Sequence, residues 1–505
     1  MSSLTTDNKV PLMLKDPKIL LLNLPSPSSM RLWRDDAGGF GVAIRLSKKF
    51  EKADETTLHP FLPYASALLL EAGYEFKVVD FQRLKLHDHE KVLSVVEKEN
   101  PDVIFSIISL PSMMNDLKIL GKIKQSLKNV IIVGVGTVCR IIPHEVLLKR
   151  SVDIALRSDF PHVSNIIELV KAFQKSQNLK KVNGISYMKN GEIVNTPDAP
   201  ETDINDLPQA CYDHIPLDGY EKFIDISGES FPYVSILDSK GCPYNCIYCP
   251  YPLGYGNKWT FRSPAKIVDE IEQLYNLRGV RGFAFRGQAF AYNRRQAMKI
   301  CDEIIRRKLD VAWICESRVN EVSNELIAKM RKAGCRRIHY GVETGDPETL
   351  KIAKPGVSIK ITERAFEITS RNSILTQAHI ILGWPEDNDK TLTHTLRFIL
   401  KLNPDIININ FLTPYPGTKM YKIAKENGLI LTNDWSNYTS HTVVMRTKNL
   451  NGNELYAYKS KIIRDFAKQK LQQLFIKDGL SVFKKPQAFI SKAKSLMDRL
   501  LFPYN

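Results

Sequence analysis

Short apolar runs alternate with amphipathic helical segments along most of this chain, in two separate series. In the first, apolar runs at 19–23, 76–80, 103–107, 130–133 and 153–156 alternate with helical patterns at 63–72, 89–99, 113–126, 143–150 and 162–174. Strands apolar at nearly every position are buried on both faces, which calls for a parallel sheet with helices on each side. Five of them predict a flavodoxin-like, Rossmann-type α/β domain over 17–187, preceded by a polar, flexible 1–16. The second series puts strands at 233–237, 282–286, 311–315, 337–342, 375–382 and 406–411. One of its helices starts with Ser263 as N-cap and Pro264 in the first turn. Six βα units fall short of a closed eight-fold barrel. The expectation for 231–445 is therefore an open, partial TIM-like barrel, with active residues at the C-terminal ends of its strands. Between the series, 188–230 is rich in Asp, Asn and Pro without a period and reads as a linker. A basic helical segment, 446–505, ends the chain.

A length of 505 residues, 43% of them hydrophobic, suits two to four globular domains. The longest stretch without charge, 241–257, holds three prolines and three cysteines, so no membrane span is expected. The N-terminus lacks the apolar core of a secretion signal, which points to a cytoplasmic, reducing setting. There, clustered thiols bind metal or do chemistry more often than they form disulfides. The net charge of 71 − 55 = +16 permits an anionic partner without selecting one.

Cys242, Cys246 and Cys249 stand in CPYNCIYCP, immediately after the first strand of the second series, as C-x3-C-x2-C. Three thiolates at this spacing can curl around one metal centre. A saturated iron–sulfur cubane takes four cysteines, so three leave one iron open for a substrate or cofactor. A structural zinc site wants four ligands, commonly in paired knuckles, and no second knuckle exists. Cys139, Cys211, Cys301, Cys315 and Cys335 are scattered, the last three inside expected helices or strands.

The stretch resembles the cluster motif of the radical S-adenosylmethionine (SAM) superfamily, C-x3-C-x-aromatic-C, with Tyr248 at the aromatic position. The resemblance implies a 4Fe–4S cluster on Cys242, Cys246 and Cys249 whose fourth iron binds SAM. It implies cleavage of SAM to a 5′-deoxyadenosyl radical that abstracts hydrogen from substrate, the cofactor carrying the hard chemistry. It also implies SAM contacts at successive strand ends. These are Glu316 and Arg318 after the third strand, Gly341 and Glu343 at the end of the fourth, and Gly383 after the fifth, near the adenine. Thr413-Pro414-Tyr415-Pro416-Gly417-Thr418 after the sixth is similar to the family's P-x-P-G-T turn. After the second strand many relatives carry an acid for the SAM amino group. Here the segment is Phe285-Arg286-Gly287-Gln288, which leaves that contact to Gln288 or removes it.

A flavodoxin-like domain ahead of such a barrel resembles the cobalamin-binding subclass. The resemblance implies cobalamin beyond the strand ends at the topological switch point, near Pro25, Ser109, Ser112, Gly134 and Gly136. The D-x-H-x-x-G motif for a lower axial histidine is absent, because His87, Asp88 and His89 are wrongly spaced, so the cobalt is expected without a protein imidazole below it. The segment 31–41, RLWRDDAGGFG, is long for a plain connection. It either reaches the shared active site or is a surface loop. The tRNA methylthiotransferase architecture would need three further cluster cysteines in its N-terminal domain, where Cys139 stands alone.

The implied activity is C-methylation at an unactivated carbon, by way of the deoxyadenosyl radical and methylcobalamin. The same scaffold serves cyclases that close or oxidise a ring on a lipid or tetrapyrrole. A non-catalytic corrinoid carrier or sensor is a third reading, though a carrier has no use for an open iron. Expected partners are a reducing electron donor of flavodoxin or ferredoxin type and a small-molecule, lipid or peptide substrate, with no nucleic acid. Residues 454–505 carry 11 Lys or Arg against 4 Asp or Glu. Leu471, Leu474 and Phe475 share a helical face there, and Leu496, Leu500 and Leu501 add apolar surface. Such a segment either rests peripherally on a membrane or packs on the barrel as a solvated helix.

Overall fold

The computed structural model describes residues 14–46, 56–158, 164–175, 178–201, 203–220, 222–224 and 230–478. Strand β1 (Ile19–Asn23) is followed by an antiparallel hairpin, β2 (Met30–Trp33) and β3 (Val42–Arg45), which forms its own small sheet. The main sheet resumes with β4 (Phe76–Asp80), β5 (Val103–Ile107), β6 (Ile131–Val135) and β7 (Ile154–Leu156). An antiparallel pair, β8 (Ile185–Lys189) and β9 (Glu192–Asn195), completes it. The order β4-β1-β5-β6-β7-β8-β9 gives the parallel strands the expected flavodoxin-like arrangement, reversing between β1 and β5. Successive residues of β1 bury on opposite faces: Ile19 and Leu21 join one core, Leu20 and Leu22 the other. That two-sided burial is why these strands read as unbroken apolar runs.

Two differences from the sequence reading have local causes. The expected helix over 143–150 spans only Pro143–Leu147, and a further short helix, Thr137–Ile141, precedes it, the two separated by Ile142 (φ −127°, ψ 52°). A residue before proline is driven out of the helical region, and Ile142 precedes Pro143. The stretch expected as linker begins inside the sheet, since β8 and β9 run through 185–195. Beyond them it is a strap, with Ile204, Tyr212, Ile215 and Tyr220 buried. Tyr220 donates to Asp80 of the first sheet (2.8 Å), and Tyr212 to Glu270 of a barrel helix (2.7 Å). A strap held by scattered anchors needs no period, so none was visible.

The second sheet opens with β10 (Lys222–Ile224), antiparallel to β11 (Ser230–Ile236). A two-residue ladder, β12 (Ser239–Lys240) with β13 (Thr260–Phe261), then closes the base of the cysteine loop. The remaining strands are β14 (Gly282–Phe285), β15 (Ala312–Ser317), β16 (Cys335–Glu343), β17 (Leu375–Leu382) and β18 (Ile406–Phe411). Six parallel strands, β11-β14-β15-β16-β17-β18, follow one another in order without closing, the open barrel that was expected. The helix Pro264–Arg278 is capped as the sequence implied: Ser263 accepts from the Lys266 amide, and Gly279 ends it at φ +64°.

The helix Gly452–Asp478 lays Leu455, Ile462 and Phe466 into the barrel core. Leu471 and Leu474 are half-buried, while Phe475 and Ile476 are exposed. Leu496, Leu500 and Leu501 lie outside the described residues, as does most of 1–16. Among the described residues no helix is long and apolar enough to cross a membrane.

Buried polar groups join the two halves of the molecule. Arg262, following the cysteine loop, donates to Tyr64 of the first domain (2.8 Å) and to Glu270 (2.6 Å), and both members of the ion pair are almost wholly buried. Removing one partner of such a pair strands the other charge. Arg262→Ala should therefore lower stability by about 3–5 kcal/mol in chemical denaturation. Replacing Arg262 and Glu270 together with apolar residues of similar volume should cost much less.

Candidate active site

The cysteine loop hangs from the β12–β13 ladder at the C-terminal end of β11. Gly241 (φ +79°) permits its tight exit, because a Cβ there would sit 2.0 Å from the Lys258 carbonyl oxygen. Cys242, Cys246 and Cys249 are half-buried free thiols facing a cavity of about 600 Å³. Burial pushes the Cys242 and Cys249 thiols up, and the neighbouring Cys246 sulfur raises both further. Crowded thiols of this kind ionise when a cationic cluster binds them, so the donor set fits an iron–sulfur cluster. Among the described residues no three His, Cys, Asp or Glu side chains gather as ligands of a single ion. A cluster instead gives each thiolate its own iron. Cys139, Cys301, Cys315 and Cys335 are buried, as a core role requires.

The strand ends around the loop bring most of the expected contacts to the same cavity. Gln288, Glu316, Arg318, Gly341, Glu343 and Tyr248 all line it. Arg318 lies over the Tyr244 ring (3.6 Å to the centroid), with Nη1 3.5 Å from Cys246 Sγ. Gln288 donates to Glu316, whose carboxyl burial pushes up to about 7 against the pull of Arg286. At the end of β16 a bulge at Gly341–Glu343 turns Glu343 to φ +66°. Its carboxylate accepts from Tyr248 and from Lys354 Nζ (3.1 Å), which also donates to the Gly341 carbonyl (2.7 Å). A Cβ on Gly341 would lie 2.2 Å from Glu343 Oε1 and 2.3 Å from Lys354 Nζ, so a larger residue would displace that pair. Gly383 is not brought to the cavity. Its amide and that of Trp384 both donate to Asp387 Oδ2 (2.9 Å each), making a buried turn. From that turn the Trp384 ring meets Tyr248 edge-on at 5.3 Å.

The rim of the first sheet differs from expectation. Pro25, Ser109, Ser112, Gly134 and Gly136 stand at the ends of β1, β5 and β6, but none lines the cavity. The side chain of Arg34, reaching back from the hairpin, fills the crevice between β1 and β5. It donates to Ser109 and Ser112 (2.9 Å each), to both oxygens of Asp116 (2.7 and 2.9 Å) and to the Leu24 carbonyl (3.1 Å). A Cβ on Gly134 would press Cys139 and Ile108 at 3.0 Å, and one on Gly136 would lie 2.6 Å from the Ile108 carbonyl oxygen. Both glycines serve backbone packing. Segment 31–41 is the hairpin itself, and it reaches the site: Trp33, Asp35, Asp36 and Gly38 wall the cavity opposite the barrel.

The family model described as "Radical SAM superfamily" matches residues 236–399, the span that contains the cysteine loop and four of the six barrel strands, β14 to β17. That stretch is a radical SAM domain. It is 27% identical over 409 residues to an uncharacterized methyltransferase of Pyrococcus horikoshii, covering 80% of this chain and 85% of that protein. It is 26% identical over 410 residues to the anaerobic magnesium-protoporphyrin IX monomethyl ester cyclase of Cereibacter sphaeroides, covering 78% of this chain and 64% of that one. Among solved structures, the cobalamin-dependent SAM radical enzyme OxsB superposes with a TM-score of 0.71 at 15% identity, over 95% of this chain and 71% of OxsB. The radical SAM methyltransferase TsrM of Kitasatospora setae gives 0.66 at 17% identity, over 88% and 91%. Both share the two-domain fold.

The radical SAM barrel holds groups that the sequence did not single out. Lys354, at the end of a helix and before Pro355, has the look of a surface lysine, yet it is buried against Glu343. Asp35 and Asp36 pair with Arg286 across the domains (2.9 and 2.7 Å). Only the acidic doublet inside a glycine-rich segment hinted at this.

Changing any of Cys242, Cys246 or Cys249 to Ala should abolish iron binding and SAM cleavage in anaerobically reconstituted protein. Cys211→Ala and Cys301→Ala should retain both. Glu316 also makes stability depend on pH. Its folded carboxyl holds a proton to about pH 7, whereas the unfolded chain releases it near about 4.3, so stability falls as pH rises through that window. Glu316→Gln removes this titration. Its stability relative to wild type should be higher at pH 8 than at pH 5 in denaturant titrations.

Proposed function

We propose that this chain is a cobalamin-dependent radical SAM enzyme that methylates an unactivated carbon. The observation that carries the reading is the cavity itself, with the cysteine triad on one wall and the first domain's hairpin on the other. A radical formed at the loop and a group presented by the first domain can then meet at one substrate atom. When bound, the reduced cluster with SAM supplies a deoxyadenosyl radical, and cobalamin supplies a methyl group.

In this reading Cys242, Cys246 and Cys249 hold the cluster, and Arg318 offers its two-pronged guanidinium to the SAM carboxylate. Gln288 and Glu316 face the amino group. Glu343, oriented by Tyr248 and Lys354, faces the ribose, and Gly341 lets the backbone come close. The switch-point groups do not fit a corrin in their present arrangement, because Arg34 and its partners occupy the crevice. The first domain's contribution therefore comes from the hairpin residues that face the cavity. A reductant of flavodoxin or ferredoxin type completes the system, in the cytoplasm. Exposed Phe475 and Ile476 on the basic C-terminal helix are candidates for peripheral membrane contact. Cosedimentation with anionic but not neutral vesicles would support that contact.

Ring closure is the second reading, favoured by similarity to the Cereibacter cyclase over most of this chain. The two consume SAM differently. Methylation should yield S-adenosylhomocysteine and 5′-deoxyadenosine in near-equal amounts, whereas a cyclase yields deoxyadenosine without the homocysteine. With SAM carrying a deuterated methyl group, mass spectrometry should find the label in the product. Product formed without label would assign the chain to ring closure.

A further inference from the structure

A doubly wound sheet offers its ligand site at the crevice where the strand order reverses. Here that crevice, between β1 and β5, is filled by the chain itself. The Arg34 side chain is 1% exposed and that of its partner Asp116 is 0% exposed. Both Nη atoms of Arg34 reach the Asp116 carboxylate, which also accepts from the Ser112 hydroxyl (2.6 Å). Nη1 donates to Ser109 and Ser112 as well, and Nη2 to the Leu24 carbonyl just after β1. One carboxylate, two hydroxyls and a carbonyl make a cation site, and its cation belongs to the chain.

The turn beyond Arg34 covers the neighbouring rim. The Phe40 carbonyl accepts from the Leu110 amide (2.7 Å) shortly after β5, and the Gly38 carbonyl from the Thr137 hydroxyl (2.6 Å) shortly after β6. A Cβ on Gly39 would lie 2.6 Å from Thr137 Oγ1, and one on Gly41 3.0 Å from Ser109 Cβ, so the turn rests directly on both strand ends. Phe40 is wholly buried, stacked on Tyr415 of the barrel. On the other side of Arg34, the β2–β3 ladder pairs Trp33 with Val42. Swinging Arg34 out would therefore lift the hairpin from both domains. It would also leave the Asp116 carboxylate buried without a counter-charge, which is strongly unfavourable. The rim groups that a ligand would use are spent on the hairpin.

We infer that the switch-point crevice is a closed joint with Arg34 as its built-in occupant, and that a corrinoid on this chain keeps its lower nucleotide outside it. The inference rests on the proposed function only in taking a corrinoid as the ligand. It departs from the cobalamin-binding resemblance, which set Ser109, Ser112, Gly134 and Gly136 against the cofactor. The consequence is a specificity. Corrinoids that lack the lower nucleotide bind this chain as well as those that carry it, because the crevice has no place for that group.

The test is equilibrium titration of the full-length, anaerobically reconstituted protein with aquacobalamin in one arm and diaquacobinamide, which lacks the nucleotide, in the other. Binding is read by calorimetry and by the corrin absorption spectrum. The two dissociation constants should agree within about three-fold. Cobalamin binding tighter by about ten-fold or more would place the nucleotide in the crevice, overturning the inference and leaving the proposed function. Binding of neither corrinoid would agree with a closed crevice and remove cobalamin from the proposed function. The occupant is tested separately with Arg34→Ala, which should lower the midpoint of thermal unfolding. Guanidinium ion far below denaturing concentration should recover part of that loss, where sodium chloride at equal ionic strength does not, and wild type should gain nothing. A variant as stable as wild type, or one unmoved by guanidinium, would show that the crevice needs no such occupant and would overturn the inference. Should Arg34→Ala fail to fold, the two corrinoid arms still decide, since they use the unaltered chain.

Discussion

A hairpin of two short strands is marginal in water, yet β2–β3 forms a wall of the active cavity. Three consecutive residues hold it in place. Arg34 points back into the first domain, onto Asp116, Ser109 and Ser112, while Asp35 and Asp36 point forward onto Arg286 of the barrel. One turn of chain thus rivets both domains. The charges involved are buried, and desolvation costs several kcal/mol per ion, which only close pairing and further hydrogen bonds offset. The Asp36 and Glu316 carboxyls accordingly sit above their ordinary range, with Arg286 opposing the shift in each. The cluster contributes position more than stability. Without it the barrel mouth would have no opposite wall.

Behind the rivet the two domains meet backbone to backbone. A Cβ on Gly254 would lie 2.0 Å from the Gly38 carbonyl oxygen, and one on Gly38 would lie 2.6 Å from Tyr251 Cα. Thr137 of the first domain donates to that same Gly38 carbonyl (2.6 Å). Phe40 of the hairpin stacks on Tyr415, which follows the last barrel strand. The helix Tyr251–Tyr255, directly after the cysteines, is therefore braced by the first domain. A loop that must hold a cluster at fixed distances from SAM gains rigidity from that brace.

The parallel strands were legible because burial on both faces leaves an unbroken apolar run. The cysteine loop was legible because a cluster demands thiols at close spacing in sequence. That residues at the ends of β14, β15 and β16 face one cavity could be read once the strand ends were placed, since a parallel barrel collects its active groups there. The antiparallel strands of the first sheet's edge and hairpin were not legible. They are short, and β9 is at most half-buried, so their patterns resemble loops. The serines after β5 and the glycines of β6 had the right address and a different occupation. What stands against a rim residue is decided by chain arriving from elsewhere.

By itself, the sequence determined two α/β halves, a six-stranded open barrel and a thiol triad fit for an iron–sulfur cluster, all of which rest on local spacing and period. The tertiary structure alone decided that Arg34 fills the switch-point crevice and that Lys354 stands behind Glu343. The physical reason is range. A helix or strand pattern is set by neighbours a few residues apart, whereas a buried charge takes its partner by distance in space. Arg34 finds Asp116 across 82 positions and Arg286 finds Asp36 across 250, separations over which no pattern in the chain announces the pairing.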